Sequence, residues 1–478
     1  MKLALTFLLN TLFNFAIGLM VAKFLGPEEY GRFALALAAA VVITTALFDW
    51  IRLAATRFYS DRTRADQPQV RAALDAAFAS LAVILGVAAL GLLLAGVELQ
   101  LSSGLVALAV ATGVANGLFD YHTALVRARF LDSAYSRLII AKNILGLAFT
   151  VGGAWWFGSA KAALIGICLC VAGALVTARR ALHDEKARPA LATRALALKH
   201  MRYGLPIVTA GLLYQAIPLA NRSLITGIFG FAETGQYSLA YDIGIRLVAA
   251  IGSTLDVMLF QIAVLADEQH GIERARQQVA RNMNLVLALV LPACAGFWLT
   301  LPSLEALLVP AAYRGQFGQF LALLLPGLFC YAIAVYAINP LFQIEKRTSP
   351  MIAAALFACA VNAGLLALLP TGADASNYAF AHSAALCAGC CALMTFAALS
   401  NPVWPSWRDG AIALAGTATM VGLLGPLREL PPGVLTLAMQ IAVGCASYAA
   451  FIVIFDVAGL RSRILELARI GKAPVRAV

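Results

Sequence analysis

Charge is the first thing this sequence lacks. Only 12% of its 478 residues are charged, against roughly 25% in soluble domains. With 62% hydrophobic residues and a mean hydropathy of +0.84, that scarcity excludes an ordinary soluble globular protein. Motifs that carry enzymatic mechanisms are missing too. There is no HExxH, no GxxxxGK[ST] and no nucleophile elbow, so neither zinc hydrolysis, nor a phosphate-cradling nucleotide loop, nor acyl transfer has its residues. The stretches between apolar runs are mostly too short to form a catalytic domain. Nine cysteines include one CxxC spacing, Cys387 and Cys390, inside the apolar stretch "HSAALCAGCCALM". No second pair follows, so no metal site is expected and these cysteines read as small hydrophobes. The N-terminal apolar run is too long for a signal peptide and has no clear cleavage site, so it is taken as the first span.

What is present is a series of apolar segments. A bilayer span needs about 20 predominantly apolar residues, and that length gives fourteen helices, at about 4–23, 32–51, 74–97, 102–125, 137–157, 161–178, 204–229, 237–265, 282–300, 318–343, 350–370, 376–399, 409–427 and 433–458. The fold class is therefore an all-α polytopic membrane protein. The organisation expected is a six-helix half over 1–180, an amphipathic cytoplasmic linker over 181–203, and a second six-helix half over 204–400. Two additional helices over 401–458 and a cytoplasmic tail over 459–478 complete it. With the N-terminus inside, most Lys and Arg fall on the cytoplasmic side. Only Lys23, Arg32, Lys161, Arg314 and Arg428 fall outside, and this bias sets both termini in the cytoplasm. The net charge of +11 is then a topology signal, and no nucleic-acid partner is expected.

The chain also repeats itself. The turn "FLGPEEYGRF" (24–33) returns as "IFGFAETGQYSLA" (228–240) at a constant offset of 204 residues. Gly26 meets Gly230, Glu29 meets Glu233, Gly31 meets Gly235 and Phe33 meets Tyr237. Six helices separate the copies, so both turns lie on one, non-cytoplasmic side, and the two halves are parallel repeats. Gly26 is expected to end a helix, Pro27 to start a turn, and Gly31 to release the chain into the next span. Glu28 and Glu29 read as helix caps favoured by the macrodipole, not as a catalytic pair.

The motifs "AKFLGPEEYGRFALALA", "HMRYGLPIVTAGLLYQ" and "NRSLITGIFGFAETGQYSLAYDIG" resemble the oligosaccharide flippases, the Wzx-type polysaccharide-transport branch of the multidrug/oligosaccharidyl-lipid/polysaccharide exporter superfamily. The resemblance covers roughly residues 1–400 and, more loosely, the last two helices. It implies a V-shaped central cavity between the halves. It also implies translocation of a lipid-linked (polyprenyl-diphosphate) oligosaccharide across a bacterial or archaeal cytoplasmic membrane for surface polysaccharide synthesis, such as O-antigen or exopolysaccharide. The implied partners are that substrate, membrane lipid, H⁺ or Na⁺, and polysaccharide polymerase or assembly proteins. No cofactor is implied. Where the family reads Asp-Arg before the second turn, this chain has Asn221-Arg222, so an Asp-Arg pair cannot be assumed.

Intramembrane charge gives the candidate site. A mid-membrane charge costs at least about 2.5–3.5 kcal/mol, so arginines there need a reason. Arg222 precedes Gly230 by eight residues and Arg246 follows Tyr237 by nine, which sets both near the bilayer middle at 1.5 Å per residue. Gln215, Pro218, Arg222 and Thr226 share one side of the seventh helix, while Asp242, Arg246, Ser253 and Asp256 share one side of the eighth. They are expected to form a cationic wall suited to a diphosphate, since arginine stays charged and donates paired hydrogen bonds. Arg222, Arg246, Asn221, Gln215 and Asn14 are the substrate-binding candidates, and Asp242 and Asp256 the ion-coupling candidates. Arg222 has no carboxylate at helical spacing on its own helix, whereas Asp242 and Arg246 are four apart, so a static pair remains an alternative for Arg246. Three other readings stay open: an ion-coupled multidrug or cation antiporter of the same superfamily, a membrane enzyme of polysaccharide assembly, and an assembly scaffold.

Overall fold

The computed structural model of the chain describes residues 2–96, 98, 100–370, 372–400 and 404–456; the side chains at 2–8, 61, 253–254 and 256–258 lie outside that description, as does the expected tail at 459–478. Among the described residues the chain is all-helical, with fourteen long helices. These are α1 (2–25), α2 (27–58), α3 (Pro68–Leu94), α4 (Ser103–Ala128), α5 (Asp132–Phe157), α6 (Ala160–Thr177) and α7 (Arg194–Phe229). They continue as α8 (Phe231–His270), α9 (Ile272–Leu308), α10 (Gln316–Ile344), α11 (Ser349–Leu368), α12 (Ser376–Ser400), α13 (Trp407–Arg428) and α14 (Val434–Phe455). A spanning chain must satisfy its backbone internally, which is why apolar runs of this length become helices.

Each of the fourteen expected spans has its helix, but several helices are longer. The eighth begins at Phe231, not 237, and the ninth at Ile272, not 282. Length set by apolar content marks where a helix meets water, and hydrogen bonding carries it further. The seventh begins earlier as well: α7 starts at Arg194, not 204, and runs 36 residues without a break, roughly 54 Å at 1.5 Å per residue, well beyond a hydrocarbon core of about 30 Å. Residues 194–203 are thus the first turns of α7, not a separate surface segment.

The chain divides into two compact units. One comprises 1–243 and 355–385, the other 244–354 and 386–478. In the first, Phe48, Trp50, Ile51, Leu74, Phe78 and Tyr121 form a core joining α2, α3 and α4. A second core, built on Phe119, Leu138, Cys170 and Val171, joins α4, α5 and α6. In the second unit, Leu299 of α9 packs with Met420 and Leu424 of α13 and with Tyr448 of α14, whose hydroxyl donates to the Ala288 carbonyl at 2.5 Å.

The repeated turn has a definite role in the first unit. Gly26 and Gly230 break the helix with φ of 71° and 87°, and with ψ near ±180° both occupy a region essentially reserved for glycine. Gly31 does something other than expected. It lies inside α2, where a Cβ would overlap the Phe231 carbonyl oxygen, while a Cβ on Gly235 would overlap the Pro27 carbonyl oxygen. At the offset of 204, Pro27 corresponds to Phe231 and Gly31 to Gly235, so the contact is reciprocal. The two copies pack against each other, backbone to backbone, about a local two-fold axis. Glu29 also caps a helix, but not its own: its carboxylate accepts the Ala160 N–H at 2.8 Å, the first of α6. Arg32 pairs with both Glu28 and Glu29.

Candidate functional site

Beside the second copy of the turn lies a buried polar cluster, entirely within the first unit. Arg222 is 4% exposed. Its guanidinium pairs with Asp242 at 2.5 Å and donates to the Ala34 carbonyl at 3.2 Å, with the Tyr241 ring 5.4 Å away. The other Asp242 oxygen accepts from the Tyr30 hydroxyl at 3.2 Å. Tyr30 belongs to the first turn, so residues of both copies meet at this ion pair.

The expectation for Arg222 is corrected here. No carboxylate stands at helical spacing on its own helix, and spacing alone offers Asp242 to Arg246, four residues on. Asp242 instead serves Arg222 on the preceding helix. Side chains on a helix lean towards its N-terminus. Arg222 therefore reaches back along α7, past its own depth, to a carboxylate twelve residues beyond Gly230. The acid absent at 221 is supplied at 242.

Asn221 is fully buried and forms a reciprocal amide pair with Asn362 of α11, at 3.2 and 3.1 Å. Both of its amide groups are engaged by a neighbouring helix. Thr226 and Thr234 bond across the break at 2.8 Å. Gln215 is half-buried. Asn14 is exposed and donates to Asn10, whose amide oxygen also accepts from Asn143 of α5 at 3.0 Å. Arg246 is half-buried and belongs to the second unit. Asp256 lies outside the residues whose side chains are described.

Sequence reasoning missed Tyr30, Tyr241, Asn362 and His382. His382 is 1% exposed on α12. Its Nδ1 shares a hydrogen with the Tyr237 hydroxyl at 2.6 Å, and its ring stacks on Tyr241 at 5.0 Å. A histidine in an apolar span is itself a signal, because ionisable residues in membranes are rare. Tyr30 also had one, standing next to the glycine that the repeat marks. Chemically, the cluster holds a largely buried charge pair, neutral in total, that joins α2, α7 and α8, while His382 attaches α12 at Tyr237 and Tyr241.

The comparisons agree with this architecture. Residues 98–314 match the family described as polysaccharide biosynthesis protein. No curated protein sequence matches the chain significantly. Among solved structures, the chain is similar to the lipid II flippase MurJ in an inward closed conformation, with a TM-score of 0.72 at 12% identity, covering 95% of this chain and 98% of that one. It is also similar to an inward-facing multidrug resistance MATE family transporter, with a TM-score of 0.55 at 14% identity, covering 82% and 94%. A mutant of the Vibrio cholerae MATE transporter VcmN gives a TM-score of 0.52 at 12% identity, covering 84% and 96%. The resemblance read from the motifs is borne out to this extent: the chain shares its fold with the lipid II flippase and multidrug transporter structures, and residues 98–314, less than half of its length, match the polysaccharide biosynthesis family.

Proposed function

We propose that this chain is a flippase that moves a polyprenyl-diphosphate-linked oligosaccharide from the inner to the outer leaflet of the cytoplasmic membrane, for surface polysaccharide synthesis. The observation that carries the reading is the pairing of a polysaccharide biosynthesis signature over 98–314 with a MurJ-like fold along 95% of the chain. The two parallel six-helix halves alternate access by rocking, with both termini in the cytoplasm and the repeated turns outside. No chemical step on the sugar is involved, and any energy input comes from an ion gradient or from removal of the product.

Within this reading the intramembrane arginines divide the work. Arg222, bonded to Asp242 and Ala34, positions α2, α7 and α8. Arg246, half-buried on α8, meets the diphosphate. Asp242 and Asp256 are the groups through which H⁺ or Na⁺ would couple, Asp242 only when Arg222 releases it. The test uses the full chain in proteoliposomes with a fluorescent lipid-linked oligosaccharide, reading the fraction of substrate accessible from outside. Transport is expected in the wild type and lost in Arg246→Ala while the protein stays folded. Transport unchanged in Arg246→Ala would overturn the assignment of that arginine. Export of a cationic dye under an imposed ion gradient, with no movement of the lipid-linked sugar, would overturn the flippase reading in favour of an antiporter.

A further inference from the structure

Two cavities of the first unit meet where α5 ends and α6 begins. One, of 360 Å³, has a mixed lining that carries the charged and polar groups Glu29, Arg32, Gln100 and Ser102 beside Leu105 and Phe231, together with Ser159 and Lys161. The other, of 650 Å³, is an apolar groove lined by Phe149, Gly152, Gly153, Phe157, Ile165 and Leu169, again with Ser159 and Lys161. The two share those last residues, so the smaller chamber opens onto a hydrocarbon-lined groove with an ammonium at the junction.

We propose that this composite site holds one membrane phospholipid with a monoanionic headgroup, its phosphodiester at Lys161, its headgroup hydroxyls in the smaller chamber and an acyl chain in the groove. Charge selects the headgroup. Of the charges that line the two cavities, Arg32 and Glu29 pair with each other, and the further partner Glu28 lies outside the lining with its side chain 63% exposed. No carboxylate among the described residues lies within ion-pair distance of Lys161. The Lys161 ammonium matches one phosphodiester charge, and the hydroxyls of Ser102 and Ser159, which line the chamber, are suited to headgroup hydroxyls. Depth fits as well. Trp155 and Trp156, 64% and 76% exposed at the end of α5, are the kind of residues that sit at headgroup level. The groove leads from there along helices that cross the bilayer. Its floor is backbone: a Cβ on Gly166 would overlap the Phe149 carbonyl, while one on Gly152 would meet nothing. The residues at 146–151 form a π-helical turn along this groove, a departure from α geometry frequent at functional sites. The site is independent of the transported substrate.

The test is native mass spectrometry of the full chain in detergent, with equal amounts of phosphatidylglycerol or phosphatidylcholine of the same acyl chains. The wild type is expected to retain phosphatidylglycerol preferentially. Lys161→Ala should lower that retention about fivefold, the worth of one lysine near an anionic lipid, and leave phosphatidylcholine unchanged. Lys161→Arg should keep the preference. Gly152→Leu, which places a side chain into open space on a helix, should reduce retention of both lipids. Both positions face outward, so a thermal unfolding curve matching the wild type verifies that the variants fold. A preference that survives Lys161→Ala, retention unmoved by Gly152→Leu, or displacement of phosphatidylglycerol by a polyprenyl diphosphate at equal concentration would each overturn the assignment.

Discussion

Arg222 and Asp242, twenty residues apart across the Gly230 break, form a buried ion pair at 2.5 Å whose remaining hydrogen bonds run to Ala34 and Tyr30. Such a pair contributes little relative to an apolar substitute, yet removing one partner leaves a charge stranded, at a cost of about 3–5 kcal/mol. Arg222→Ala and Asp242→Ala should therefore each lower the unfolding temperature in detergent markedly. Arg222→Met combined with Asp242→Leu should recover most of the loss. Two neutral single variants would show that the pair is not closed in solution.

The reciprocal contact between Gly31 and Gly235 makes a sharper demand. A methyl group on either would overlap a carbonyl oxygen of the opposite turn, and backbone cannot move aside as a flexible side chain can. Gly31→Ala and Gly235→Ala should each destabilise at or beyond the upper end of the usual overpacking range of about 1–3 kcal/mol, and by similar amounts because the contact is symmetric. Gly26→Ala has open space around it but a φ of 71°, so its cost is backbone strain of about 1–3 kcal/mol. Thermal unfolding of the three variants should rank Gly26→Ala as the mildest.

The helices were legible because a membrane leaves the backbone one solution, and apolar length reports it directly. The repeat was legible as well, since Gly26 and Gly230 perform a task no other residue performs cheaply. Partnership was not legible. The pairing of Arg222 was sought at i±4 on its own helix, and the reach of a long side chain back along the helix axis to the next helix leaves no mark in spacing. Asn221 likewise gave no sign that its partner was Asn362. That contact joins α7 to α11, and nothing local to either residue encodes it. Gly31 was misread for a related reason: a glycine four residues after the proline of a turn looks like part of the turn until the opposing backbone is known.

Asn221 and Asn362 exchange two hydrogen bonds while 0% and 4% exposed. Asn221→Ala would leave the Asn362 amide buried without its partner, at a cost of about 1–3 kcal/mol. Replacing both with leucine removes both polar groups together and should cost less than either single alanine. A double-mutant cycle on unfolding temperature reads this directly, and additive losses would mean the amides act separately.

At the other end of the first unit, the Tyr59 hydroxyl donates to Asp184 at 2.8 Å, and Arg64 approaches the same carboxylate at 3.3 Å. Burial pushes the Asp184 carboxyl up, but the Tyr59 hydrogen bond and the Arg64 charge outweigh it and hold the group below its ordinary value. Burial, reinforced by Asp184, pushes the Tyr59 phenol up to about 12. The signs then differ at the two ends of the scale. A lowered carboxyl contributes stability that is fully present above its unfolded value near 4 and is lost as pH falls through the lowered one. A raised phenol contributes stability that is present below about 10 and is lost as pH rises towards its folded value. Asp184→Asn, which keeps a hydrogen-bond acceptor for Tyr59 but removes the charge, should therefore be less stable than the wild type at neutral pH. The difference should shrink as pH is lowered through the acid range. Unfolding temperatures of the two proteins measured from pH 3 to pH 7 check this, and a gap that stays constant over that range would show that the Asp184 charge contributes nothing to holding 59–64 against the chain at 184.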